Sequence, residues 1–159
     1  MPQQQQQQQP PPPPPASPPA HPLDDIRALL AAGRVNEAID KALAASEVRM
    51  VVWTCRQLDH SAVPRHLSQG ALLCLLSQLS TDLPLDAATK LLWLQGCALA
   101  LRTGDSTIAQ FVPAVLRQVR TALEEAAPEI RAEGPHAAST LSLLSHVITS
   151  LQSNVESGR

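Results

Sequence analysis

Apolar side chains recur along most of the chain at intervals of three and four residues, the spacing that places them on one face of an α-helix. The pattern begins near residue 23, continues to about residue 151, and nowhere shows the alternation expected of a half-buried β-strand. Glycine, proline and short polar stretches interrupt it. The pattern predicts an all-α domain of about seven helices.

The first two predicted helices form a hairpin. They span residues 23–32 and 35–45, so only Gly33 and Arg34 separate them. Two acids open the first helix, where they complement the positive end of the helix dipole, and Gly33 suits the left-handed conformation that ends many helices. A connection this short forces the two helices to lie antiparallel.

The third predicted helix, residues 46–59, carries two stripes of side chains. The apolar stripe predicts a core face and consists of Val48, Val51, Val52, Cys55 and Leu58. Core burial does not explain the second stripe, which consists of Arg49, Trp53, Arg56 and His60. Either Trp53 covers a neighbouring helix between solvated arginines, or the stripe docks a protein partner, because Trp and Arg are enriched where binding energy concentrates. Both interpretations stay open, and the four residues are our candidate partner-binding site.

Two leucine-rich helices follow a predicted loop at residues 60–67. Ser68 is expected to cap a helix over residues 69–83, and Asp86 is expected to cap another that extends to about residue 102. The second of these helices is apolar on nearly all sides, which predicts a central position in the fold.

Three prolines mark the last part of the chain. Pro113 lies within an apolar stripe over residues 108–123, so we expect a kink or a break there. Pro128 is expected to open a loop. Pro135 is expected in the first turn of a last helix that ends near residue 151.

The predicted connections are short, which favours a stack of antiparallel helical hairpins resembling an α-solenoid of the HEAT or armadillo type. The segments share no fixed period, and a compact irregular bundle is the alternative. We divide the chain into a disordered Gln/Pro-rich arm at residues 1–22, an all-helical interaction domain at 23–152 and a flexible tail at 153–159. The arm could also act as a proline-motif ligand, although no basic residue flanks its proline run.

Composition narrows the class of function. The chain has 159 residues, of which 44% are hydrophobic and 16% are charged, and a formal net charge of −2, which fits one ordinary soluble domain. Its 12 Lys and Arg are interspersed with 14 Asp and Glu, so the charge does not favour nucleic-acid binding and leaves only a local RNA contact open. No apolar run reaches the ~20 residues needed to cross a bilayer, and no secretory signal pattern opens the chain, so we expect an intracellular protein.

No arrangement of side chains indicates catalysis. No Ser or Cys lies in a strand–turn–helix elbow, the glycines are scattered singly, and the acids lack the inward-facing pairs of helical metal sites. Three cysteines, Cys55, Cys74 and Cys97, are expected to be reduced thiols packed in the core. We therefore expect that the protein is not an enzyme and that it binds no cofactor, metal or small-molecule substrate.

Several motifs occur in an order that resembles the C-terminal helical domain of the Varicose family, also called enhancer of mRNA-decapping protein four. They are the hairpin DIRALLAAGRVNEAIDKAL, the run VVWTCRQLD with Trp53, Cys55 and Asp59, the segment LSQGALLCLLSQLSTDL, and KLLWLQ. The resemblance extends from Leu23 to about Leu151. It implies a noncatalytic scaffold that brings the decapping enzyme and its activators together in cytoplasmic processing bodies, with this domain contributing partner binding.

The family pattern is only partly present. Members carry a WD40 propeller and an oligomerising helical region before this domain, and neither is found in this sequence, so we expect a fragment, a truncated gene product or a stand-alone relative, and self-association is not implied. Two other functions remain open. One is a helical-hairpin adaptor unrelated to RNA decay, because GRVNEAIDKAL alone suits many hairpins of the tetratricopeptide type. The other is an α-solenoid that binds RNA directly.

Overall fold

The computed structural model describes residues 10–12 and 21–158, and all of the regular structure in these residues is helical. Between α3 and α4 lies a short 3₁₀ helix at Val63–His66. The α-helices are α1 Pro22–Ala31, α2 Val35–Ala44, α3 Val48–Arg56, α4 Gln69–Leu79, α5 Ala87–Ala100, α6 Val112–Ala132 and α7 Pro135–Ser157. The prediction of an all-α fold of about seven helices is confirmed. Most of the predicted disordered arm at residues 1–22 lies outside the described residues.

Three pairs of consecutive helices pack as hairpins. Helix α1 packs on α2, α4 on α5, and α6 on α7, while α3 packs on α2, α4 and α5 and ties the first hairpin to the second. Contacts of α4 with α6 and of α5 with α7 tie the second hairpin to the third. Each helix pair therefore contacts the next pair along the chain, which is the solenoid-like arrangement predicted from the short connections.

Helix α5 is the centre of the fold, as its sequence predicts. It packs against α3, α4, α7 and the 3₁₀ helix. Leu94 and Cys97 have no exposed surface, and Trp93 is only 2% exposed. A helix with neighbours on this many sides needs apolar residues around most of its circumference, which explains the lack of a polar face.

The effect of Pro113 differs from the prediction. Helix α6 begins only at Val112, so Pro113 lies in its first turn and causes no kink. In the first turn of a helix the backbone N–H has no partner within the helix, and the missing N–H of proline therefore costs no hydrogen bond. The predicted helical stretch before it is instead a series of turns over residues 106–111.

The loop predicted at Pro128 is also wrong. Helix α6 passes through Pro128 and continues to Ala132. Ala127 and Ile130 are buried on either side of the exposed proline. Burial of this face outweighs the lost backbone hydrogen bond, and the actual connection is the short turn at Glu133 and Gly134.

The end of α7 and the start of α5 also differ from the prediction. The last helix runs past its predicted end near residue 151 to Ser157, because Leu151 and Val155 continue its contact with the core. The tail predicted as flexible from residue 153 is therefore helical over most of its length. Asp86 precedes α5 as predicted but makes no capping hydrogen bond, since its backbone is left-handed with φ 61° and its side chain is engaged elsewhere.

Candidate functional site

A buried hydrogen bond fixes α3, the helix that carries the candidate site, against α5. The indole N–H of Trp93 donates to the backbone carbonyl of Cys55 at 3.1 Å, and both residues are buried. In the loop after α3, the backbone carbonyl of His60 lies against Gly96 on α5. The chain after α3 therefore continues along α5 in the direction of that helix, from Trp93 towards Gly96.

Gly96 permits this close approach. A Cβ atom at this position would lie only 2.4 Å from the backbone carbonyl oxygen of His60 and 3.1 Å from Cγ of Pro64. Real Cβ atoms do not approach a backbone oxygen so closely, so any larger residue would push the chain after α3 away from α5. The absence of a side chain at Gly96 thus sets the distance between the loop at residues 59–65 and α5.

Of the four predicted site residues, Arg49 is the most accessible. Its side chain is 85% exposed and lies 3.8 Å from the carboxylate of Glu47. Arg56 is half-exposed and forms an ion pair with Asp86 at the start of α5. Ion pairs this exposed contribute little stability, so both guanidinium groups remain available to a partner.

Trp53 is partly buried and packs against the core. The guanidinium carbon of Arg27, on α1, lies 5.3 Å from the centroid of its ring, within the range of a cation–π contact. Trp53 therefore helps to join α1 to α3, in keeping with the interpretation that it covers a neighbouring helix. A docking role for Trp53 stays a prediction.

His60 is half-buried and lines a groove on the outer face of α5. The groove has a volume of about 320 Å³. Ser61 and Arg65 lie on the same side of it as His60, while Leu92 and Leu99 on α5 form its apolar part.

Arg49 lines a second pocket, of about 290 Å³, at the other end of α3. Leu85 and Asp86 lie on its far side, and the buried Lys90 forms part of its wall. The structure thus does not bring the four predicted residues together in one depression: Arg49 and His60 line two different ones, and Trp53 and Arg56 line neither of them.

The exposed leucines of this surface were not predicted. Leu99 is 68% exposed and Leu85 is 60% exposed. Leu85 lies in the turn before α5, whereas the sequence pattern places Leu99 on a helix that is apolar on nearly all sides, and periodicity alone does not tell which side of that helix lacks a neighbour. The available signal was the excess of apolar residues over what a single packed face needs.

Lys90 has a structural role beside the second pocket. It is 1% exposed, and its ammonium donates to the backbone carbonyls of Thr81 at 2.9 Å and Asp82 at 2.7 Å. Burial lowers the pKa of Lys90, while the carboxylates of Asp82 and Asp86 oppose that shift. The ammonium therefore holds the turn between α4 and α5, which supplies the ion-pair partner of Arg56.

The cysteines follow the prediction only in part. Cys55 and Cys97 are buried, but Cys74 is exposed on α4. Burial raises the pKa of the Cys55 thiol, and it raises the pKa of Cys97 to about 12. The two buried thiols are packing residues, whereas the prediction that Cys74 is a core thiol is wrong.

Other chemistry is not indicated in the described part of the chain. Residues 10–12 and 21–158 contain no group of three or more His, Cys, Asp or Glu side chains placed to hold a metal ion. None of the helices formed by these residues combines the length and the hydropathy required to cross a bilayer.

The fold and this surface define the class of protein: an all-helical, solenoid-like domain with two grooves beside one exposed helix face. A family model described as "Enhancer of mRNA-decapping protein 4, C-terminal" matches residues 26–144, which is most of the chain. The chain belongs to this family, and the resemblance inferred from its sequence motifs is confirmed.

Individual relatives agree with the family model. Enhancer of mRNA-decapping protein 4 of Danio rerio is 36% identical over 102 residues, and that of Homo sapiens is 34% identical over 130 residues. These matches cover 62% and 76% of this chain. The chain spans only 7% and 9% of the length of these two curated relatives.

A solved structure shares the fold. The crystal structure of the conserved C-terminal region of Ge-1 matches with a TM-score of 0.71 at 27% sequence identity. The match covers 81% of this chain and 97% of the Ge-1 chain. The described helices therefore adopt a fold similar to one known from experiment.

Proposed function

We propose that the chain is a noncatalytic protein-interaction module of an mRNA-decapping scaffold. The observation that carries this proposal is the family match over residues 26–144, since the relatives are named for enhancing mRNA decapping. In this role the domain helps to assemble the decapping enzyme with its activators in cytoplasmic processing bodies.

The proposed docking site is the stripe of Arg49, Trp53, Arg56 and His60. Its support is the exposure of Arg49 and the half-exposure of Arg56 beside a partly accessible indole. Arginine and tryptophan are the side chains that most often dominate binding energy at protein interfaces. The two grooves beside the stripe can receive side chains of the partner protein.

Reversal of charge on the stripe tests this site. The full chain carrying Arg49→Glu and Arg56→Glu is immobilised, and capture of decapping enzyme and decapping activators from a cell extract is measured by immunoblot. We expect capture to be abolished and the circular dichroism spectrum to be unchanged, because both side chains are at least half-exposed. Arg49→Glu alone should weaken capture without disturbing the Arg56–Asp86 pair.

A matched control changes the same charge elsewhere. Arg117→Glu with Arg131→Glu alters two exposed arginines on α6, away from the stripe, and should leave capture intact. Undiminished capture by the α3 variant would remove the stripe from the proposal. Equal loss with both variants would indicate a nonspecific charge effect.

The capture experiment and an RNA gel shift separate the other functions. Recovery of unrelated complexes without any decapping factor would favour a general helical-hairpin adaptor. Strong and salt-sensitive binding of RNA in a gel shift would favour an RNA-binding solenoid, whereas no shift at low salt would exclude it.

A further inference from the structure

We propose that the groove between the loop after α3 and the outer face of α5 binds an acidic amphipathic helix of a partner protein. The proposal rests on the proposed function, and it gives the chemistry of the partner segment at the His60 end of the stripe. We call this depression the α5 groove. It is lined by His60, Ser61, Arg65, Leu92, Gln95, Gly96, Leu99 and Ala100.

The floor of the α5 groove is apolar and regular. Leu92 and Leu99 are seven residues apart on one straight helix, so they lie two turns apart along the same face, with a rise of about 10.5 Å between them. Leu99 is 68% exposed, although burial of a leucine side chain is favourable. Leu92 is half-buried, and the exposed apolar side chain of Leu99 beside a groove is the kind of surface that an interaction partner covers.

The ionisable groups that line the α5 groove are cationic or neutral. Arg65 is exposed and forms no ion pair within the described residues, and His60 is the other titratable side chain. Among residues 21–158, no carboxylate lines the groove. The nearby Asp59 is held by Ser61, whose backbone N–H and hydroxyl donate to it at 2.8 and 2.7 Å, and these bonds lower the pKa of Asp59. A partner segment with carboxylates therefore complements the groove, and a basic segment does not.

The spacing of the floor favours a helix over an extended strand. In a partner helix that packs along α5, apolar side chains seven residues apart have the same axial spacing as Leu92 and Leu99. In an extended chain, residues about 10 Å apart are three positions apart and point to opposite sides, so one strand cannot place two neighbouring anchors of this spacing on one face. Between the two leucines, Gly96 has no side chain and lets the backbone of His60 approach α5, so the loop forms one wall of the groove beside the leucines.

The test uses a defined probe. A fluorescent synthetic peptide of about 18 residues, ~27 Å long when helical, carries leucines at heptad spacing and glutamates on the flanking positions. A second peptide is identical except that lysine replaces every glutamate. Binding of each peptide to the full chain is measured by fluorescence anisotropy. We expect the acidic peptide to bind at least about tenfold more tightly than the basic one, a difference of about 1.4 kcal/mol.

Variants locate the binding. Leu99→Glu should weaken binding of the acidic peptide by about tenfold or more, because it places charge on the apolar floor, and Arg65→Glu should reverse the preference between the two peptides. Leu143→Glu is the matched control, since Leu143 is a 58% exposed leucine on α7 outside the groove, and it should change nothing. Thermal denaturation checks that all three variants remain folded.

Four outcomes would overturn the proposal. They are failure of the acidic peptide to bind, equal binding of both peptides, equal loss with Leu143→Glu, and a concentration-dependent dimer in sedimentation that Leu99→Glu abolishes. The last result would mean that a second copy of the chain occupies the groove.

The failure of this inference and that of the proposed function are distinguishable. If the acidic peptide binds as expected but Leu99→Glu still captures decapping factors, the groove exists without a role in their capture. If Arg49→Glu with Arg56→Glu abolishes capture of decapping factors while the acidic peptide does not bind to the full chain, the proposed function stands and only the groove inference fails.

Discussion

The indole of Trp93 and the backbone carbonyl of Cys55 form a buried hydrogen bond that spans 38 positions of sequence and joins α3 to α5. Trp93→Phe should lower the free energy of unfolding by about 1–3 kcal/mol, since it removes both the donor and part of a fully packed ring. Urea denaturation followed by circular dichroism measures the loss. Trp53→Phe is the control and should cost less, because that ring is partly exposed. Equal losses would mean that the buried bond contributes nothing of its own.

The leucine core offers a second prediction. Leu76 on α4 and Leu94 on α5 have no exposed surface, so Leu76→Ala and Leu94→Ala should each cost about 2–5 kcal/mol of stability. Leu99→Ala provides a control on the same helix, and we expect a loss below about 0.5 kcal/mol at this exposed position. If chemical denaturation shows that both Leu76→Ala and Leu94→Ala lower the free energy of unfolding by less than ~0.5 kcal/mol, the assignment of the core is contradicted.

The two prolines of α6 should respond in opposite ways to substitution by alanine. Pro128 is exposed inside the helix and withholds one backbone donor, so Pro128→Ala should stabilise the protein by up to about 3 kcal/mol, less if the last turn is already frayed. Pro113 lies in the first turn, where its fixed backbone angle suits the helix, so Pro113→Ala should be neutral or slightly destabilising. Calorimetric melting temperatures test the pair. A higher melting temperature for Pro113→Ala than for Pro128→Ala would refute this explanation.

Thiol chemistry should distinguish the three cysteines. Cys74 is exposed, whereas burial raises the pKa values of both Cys55 and Cys97, so neither forms the reactive thiolate in the native protein. An aromatic disulfide reagent at neutral pH should therefore modify one thiol rapidly in the folded protein and all three in denaturant. Cys74→Ser should abolish the rapid phase. Rapid labelling of more than one native thiol would show that the α3–α5 contact opens readily.

Periodicity was sufficient where a helix has one clear apolar face. The leucine stripe of α4 is fully buried, as predicted, because residues three and four apart necessarily share a side of the helix. The same rule places Cys74 opposite that stripe, since it is two positions from both Leu72 and Leu76. The error at Cys74 therefore came from an expectation about the residue type, and the pattern itself contained the correct answer.

Local rules failed where contacts distant in sequence decide the outcome. Pro128 is a helix breaker by its chemistry, yet the burial of Ile130 in the core keeps the helix intact beyond it. Asp86 was expected to cap α5, but Arg56, 30 positions earlier, takes its carboxylate. No local pattern contains that pairing.

Only part of the candidate site can be predicted from the sequence. The stripe on α3 follows from helical spacing, and the exposure of Arg49 agrees with it. The α5 groove does not follow from spacing, because it depends on which side of α5 lacks a neighbour and on the close approach that Gly96 allows.

That close approach has a consequence for how the protein folds. Each helical hairpin can form from neighbouring segments, and local contacts of this kind form early and fast. The α5 groove instead needs the loop that contains His60 to pack on Gly96, 36 positions later in the sequence. A chain whose helices have formed but whose His60 loop has not packed on Gly96 therefore lacks the groove. A partner bound there would select fully assembled molecules over partly folded ones.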